Sequence, residues 1–84
     1  MENDKELFER FAKIRSLPRR EGRKRIVLKV LVKNFIRNKI YSEEEVDAVI
    51  KKYFDDFGMV RRELVELGLM ERDPSGRKYK VRTT

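Results

Sequence analysis

The side chains in this chain best placed to do chemistry are its cations, and the chemistry they suit is holding phosphate. Arg19-Arg20-Glu21-Gly22-Arg23-Lys24-Arg25 sets five positive charges against one negative charge in seven residues. A second group, Arg72, Arg77, Lys78, Lys80 and Arg82, gathers near the C-terminal end, around a glycine. Such groups bond phosphate oxygens, which fixes position on a polyanion without reading its sequence. The same charges also suit a solvated linker and a soluble surface, and charge alone leaves both readings open.

Other chemistry finds little support. The chain has no cysteine and no histidine, so it lacks a thiolate nucleophile, a Cys-based zinc site, the commonest general base and the commonest metal ligand. Asp55 and Asp56 are adjacent and point to different sides of a helix, with no glycine-rich phosphate loop to work with. Glu43-Glu44-Glu45 suits the positive end of a helix dipole better than a metal. No catalytic residue, metal site or cofactor is expected.

The elements that must carry these cations follow from periodicity. Residues 1–17 read as an N-terminal amphipathic helix, helical from Asp4 to Arg15, with Leu7, Phe8, Phe11 and Ile14 as its apolar stripe. Leu17-Pro18 ends it, because a residue before proline avoids the α region. Arg23 to Arg37 reads as the central buried helix, with Ile26, Val27, Leu28, Val30, Leu31, Val32, Phe35 and Ile36 around most of its circumference. Arg25, Lys29, Lys33 and Arg37 recur every four residues along its exposed edge. Ile40-Tyr41 is a short extended piece. Ser42 to Glu45 then forms a capping box and Tyr41 to Val46 a hydrophobic staple, which start a third helix ending near Phe54.

A fourth helix spans Asp56 to Leu67, capped by Asp55 or Asp56. Phe57, Val60, Leu64 and Leu67 share one face. Gly68 stands where a left-handed residue would end that helix, with Leu69 set to touch Leu64. Asp73-Pro74-Ser75-Gly76 suits a type I turn, and Tyr79 and Val81 alternate with Lys78, Lys80 and Arg82 as in a half-buried strand. The fold class expected is therefore mainly α with a small β-hairpin: winged-helix-like, about four helices plus a C-terminal two-stranded wing. It forms one domain over 1–84, with residues 23–82 as helical core and wing.

Net charge is +7, unevenly spread: residues 1–41 hold 13 Lys/Arg against 5 Asp/Glu, and residues 42–84 hold 9 against 10. A basic half suggests a polyanion partner. Charged residues make up 44% of the chain, glutamine is absent and asparagine occurs three times, a pattern common in proteins from hot environments. The N-terminus is acidic and amphipathic rather than an apolar signal region, and no apolar run approaches a membrane span. A cytoplasmic protein with no membrane partner is expected.

Taken in order, several segments resemble the prokaryotic family filed as domain of unknown function 2087. They are Pro18 with the basic run after it, Arg23-Lys24-Arg25-Ile26-Val27-Leu28, Phe35, Tyr41-Ser42-Glu43-Glu44-Glu45-Val46, Phe54-Asp55-Asp56, Arg61-Arg62-Glu63-Leu64-Val65, Gly68-Leu69-Met70-Glu71-Arg72 and Gly76 with Tyr79. The likeness covers roughly residues 10–82. Members of that family stand alone or are appended to transcriptional regulators and, in some cases, acetyltransferases. The resemblance implies a winged-helix-like fold and a regulatory setting, and no reaction.

In a DNA-binding winged helix the second helix of the helix-turn-helix corner enters the major groove. Here that helix shows Asp55, Gly58, Met59, Arg62 and Glu66 outward, and residues 55–67 carry two arginines against four carboxylates. An acidic helix counts against base reading in a field of about one negative charge per 1.7 Å of duplex. The first functional expectation is thus a nucleic-acid-binding or transcription-regulatory module. It would grip the backbone through Arg19, Arg20, Arg23, Lys24, Arg25, Arg62, Arg72, Arg77, Lys78 and Lys80. The alternative is a protein-interaction or homodimerisation module using Met59, Val65 and the N-terminal helix. An enzyme ranks third.

Overall fold

The structure, a computed structural model, describes residues 2–82. Four helices, α1 (Asp4–Lys13), α2 (Glu21–Val32), α3 (Glu43–Lys51) and α4 (Phe57–Glu66), pack beside a small antiparallel sheet of β1 (Tyr41–Ser42), β2 (Met70–Arg72) and β3 (Lys78–Val81). Among the described residues no helix is long and apolar enough to cross a membrane.

Local chemistry starts and stops most elements. Asn3 and Glu6 form a capping box at the head of α1, and Ser42 and Glu45 form the expected one at the head of α3. Of the two candidate caps for α4 it is Asp56 that acts, accepting from the Met59 amide. Gly68, at φ 73°, ends α4: its amide donates to the Val65 carbonyl, and the Leu69 amide donates to the Leu64 carbonyl. That pair of bonds is the Schellman arrangement. The Gly76 amide donates to the Asp73 carbonyl and closes the hairpin turn.

The central helix differs from expectation. It begins at Glu21 and ends at Val32, five residues before Arg37. The Asn34 side chain donates to the Leu31 carbonyl, and Asn38 takes a left-handed φ of 64°, which asparagine tolerates better than most residues. The chain turns here so that Phe35 can pack edge-on against Tyr41, whose hydroxyl accepts from the Ile36 amide. Ile36 is consequently 63% exposed, and Arg37 lies beyond the end of the helix that carries Arg25, Lys29 and Lys33. Ile14, at the C-cap of α1, is also exposed rather than part of the buried stripe.

The wing has three strands rather than two, in the order β1-β3-β2. Tyr41 opposes Tyr79, and Met70, Glu71 and Arg72 oppose Val81, Lys80 and Tyr79. Opposed residues share a face. Tyr41, Met70, Tyr79 and Val81 therefore turn inward to the core, with Arg72 at the edge of that face, while Glu71, Lys78 and Lys80 face out.

The core joins every element: Leu7, Phe8, Val27, Leu28, Leu31, Val46, Ile50, Phe54, Val60 and Leu64 are buried with the inward residues of the sheet. Phe8 meets Tyr53 and Phe54 edge-on, so α1 packs on its own domain. Arg15, itself at φ 58°, fixes that packing. Its guanidinium donates to the Lys51 and Lys52 carbonyls at the end of α3 and to the Asp55 carboxylate.

Candidate nucleic-acid interface

Side chains of opposite charge are paired where helices meet, and that sorting decides which cations remain on offer. Lys24 reaches from α2 to Glu63 of α4 at 3.2 Å and to Glu21 at 2.9 Å, and its side chain is only 14% exposed. The bonds it donates to these two carboxylates, Glu21 first, hold its pKa above the ordinary lysine value. Arg61 is equally enclosed: it pairs with Asp47 and lies 3.5 Å from Glu43, both on α3. Burial works against its charge, but the bond and field of Asp47, with the field of Glu43, outweigh that and raise its pKa. The Tyr79 hydroxyl donates to Glu43 at 3.0 Å, and burial, then that carboxylate, raise its pKa.

The carboxylates of the α4 region are correspondingly accounted for. Asp55 binds Arg15, Asp56 caps the helix and Glu63 holds Lys24. The count of two arginines against four carboxylates therefore overstates the negative field at the surface. Arg62 and Glu66 remain as the exposed charges of α4.

Arg62 and Arg72 come together. With Arg61, Val65, Glu66 and Tyr79 they line a cleft of about 370 Å³ between α4 and the wing. Among the described residues neither Arg62 nor Arg72 has a carboxylate within ion-pair distance, and both are exposed. Of the remaining wing cations, Lys78 and Lys80 lie on the opposite face of the sheet from Arg72, and Lys80 sits 3.7 Å from Glu71. Arg77 is exposed just ahead of β3, beside the turn. That turn is held by Asp73, whose carboxylate accepts from the Ser75 hydroxyl and from the Lys78 and Arg77 amides. These bonds, the hydroxyl first, lower its pKa.

Arg19, Arg20, Arg23 and Arg25 are exposed around the start of α2, with no ion-pair partner among the described residues. The basic run thus divides into four outward arginines and one engaged lysine. The sheet register likewise splits the wing cations between two faces.

A second cleft, which residue spacing alone did not assemble, lies just past the C-terminal end of α4. Lys29, Lys33, Arg37 and Arg82 surround a cleft of about 650 Å³ whose floor is Val32, Phe35, Leu69 and Val81. The four-residue spacing on α2 pointed to Lys29 and Lys33. Only the turn after Val32 and the return of β3 bring Arg37 and Arg82 to them. No cluster of acidic side chains able to hold a metal ion occurs among the described residues.

Residues 13–81 match the family described as "Uncharacterized protein conserved in bacteria (DUF2087)". No curated protein and no solved structure matches the chain.

Proposed function

We propose that this chain, which belongs to the bacterial family DUF2087, is a small nucleic-acid-binding module that grips phosphate backbone. The observation that carries the proposal is the meeting of Arg62 on α4 with Arg72 on β2 at one cleft, both free of carboxylate partners among the described residues. Helix and wing are the two parts that a winged helix brings to a duplex. The exposed arginines 19, 20, 23 and 25 and Arg77 add further positive charge to the surface, while Lys78 and Lys80 face the other side of the sheet.

Backbone contact is favoured over base reading because the exposed charges of α4 are one arginine and one glutamate. A protein-interaction module is the weaker alternative. The apolar side chains Leu7 and Phe8, which would make the N-terminal helix sticky, are buried in the domain's own core.

The test is fluorescence anisotropy with a labelled random duplex across a salt series. Affinity is expected to fall with a slope of about −0.9 per phosphate neutralised. Absence of binding at low salt would overturn the proposal and return the protein-interaction reading.

A further inference from the structure

We propose that the cleft between the C-terminal half of α2, the link from α4 to β2 and the end of β3 is a small-molecule site for an organic anion with an apolar body, such as a medium-chain carboxylate or an aromatic sulfonate. Its floor is apolar: Val32 from α2, Phe35 from the turn after it, Leu69 ahead of β2 and Val81 at the end of β3. Its rim is cationic: Lys29, Lys33, Arg37 and Arg82. A volume of about 650 Å³ falls within the range of ligand pockets, which pair an apolar lining with a few convergent polar groups.

The charge distribution is the stronger argument. Among the described residues five cations hold a carboxylate, Arg10, Arg15, Lys24, Arg61 and Lys80, while others, Arg19 and Arg62 among them, stand unpaired at exposed positions. Around this cleft four cations converge, and none has a carboxylate partner among the described residues. Like charges gathered at one place repel, and an anion that enters relieves the repulsion while its apolar body covers the floor. A phosphate backbone would satisfy the rim but leave the floor wet; an uncharged lipid would do the reverse. The chemistry that satisfies both is amphiphilic and anionic. This cleft shares no lining residue with the one between Arg62 and Arg72, so the inference stands independently of nucleic-acid binding.

The chain offers its own reporter. Of its four glycines only Gly68 lines the cleft; Gly22, Gly58 and Gly76 lie elsewhere. In amide proton–nitrogen correlation spectra of the full chain, titration with 8-anilinonaphthalene-1-sulfonate, and separately with octanoate, should move the Gly68 peak saturably and leave the other three in place. Lys29→Gln with Lys33→Gln should weaken both ligands about tenfold while the spectrum stays folded.

Octylammonium should bind more weakly than octanoate, and inorganic phosphate should not move Gly68. Three results would each overturn the site: no Gly68 displacement at millimolar probe, equal displacement by octylammonium or phosphate, or an unchanged affinity in the lysine double variant. Uniform movement of all four glycine peaks would likewise overturn it, since that is non-specific adhesion.

Discussion

Arg61 and Arg62 are neighbours in the chain with opposite fates. Arg61 turns inward to Asp47 and Glu43, and Arg62 faces the cleft and solvent. Removing a partly buried charge leaves its partner unpaired, so Arg61→Ala should cost about 1–3 kcal/mol in urea denaturation. Arg62→Ala should stay within about 0.5 kcal/mol of the parent. Equal costs would show that the sorting is wrong.

The helical winding already set Arg62 outward, but the pairing of Arg61 was not legible, because its partner Asp47 sits on another helix. The same holds for Lys24, whose partner Glu63 lies 39 residues away. Asp73 was legible, since Asp, Pro and Gly at their turn positions act locally. Its carboxylate carries a pH dependence. A pKa lowered by folding gives stability that is present above the ordinary aspartate value of about 3.9 and is lost as pH falls through the folded value. Glu45, lowered by the backbone amide and then the hydroxyl of Ser42, acts in the same direction. Between about pH 5 and pH 3 the parent should therefore lose stability faster than Asp73→Asn in urea melts, and parallel losses would contradict the role given to the carboxylate.

Among the elements, those with chemical punctuation were readable and those bounded by packing were not. Ser42-Glu45 and Gly68 mark their helix ends within a few residues, by hydrogen bonds the residue types announce. The end of α2 is different: the apolar run continues through Ile36, and only the demand that Phe35 reach Tyr41 breaks it. β1, two residues long, was legible only as the extended piece at Ile40-Tyr41, and its pairing with β3 had no pattern of its own to read. Gly68 offers the sharpest test at this scale. A side chain there must adopt φ 73°, and its Cβ would lie 2.9 Å from Nη1 of Arg82. Gly68→Val should destabilise by more than about 1 kcal/mol. A variant within about 0.5 kcal/mol of the parent would contradict the Schellman ending.

For the molecule as a whole, one core spans all four helices and the sheet, so truncating it anywhere should unfold it everywhere. Leu31 and Leu64 are fully buried in α2 and α4, and Leu31→Ala or Leu64→Ala should each cost about 2–5 kcal/mol by chemical denaturation. The global charge was plain in the sequence, but its arrangement was not: strand alternation and ion pairing decide which cations share a surface. The central claim is that the cleft joining α4 and the wing holds phosphate through Arg62 and Arg72. The most direct measurement is the salt dependence of duplex binding by the parent and by the variant carrying both Arg62→Ala and Arg72→Ala, on two unrelated sequences. The variant should bind both duplexes more weakly, with a log–log salt slope shallower by about 1.8. An unchanged slope and affinity would contradict the claim.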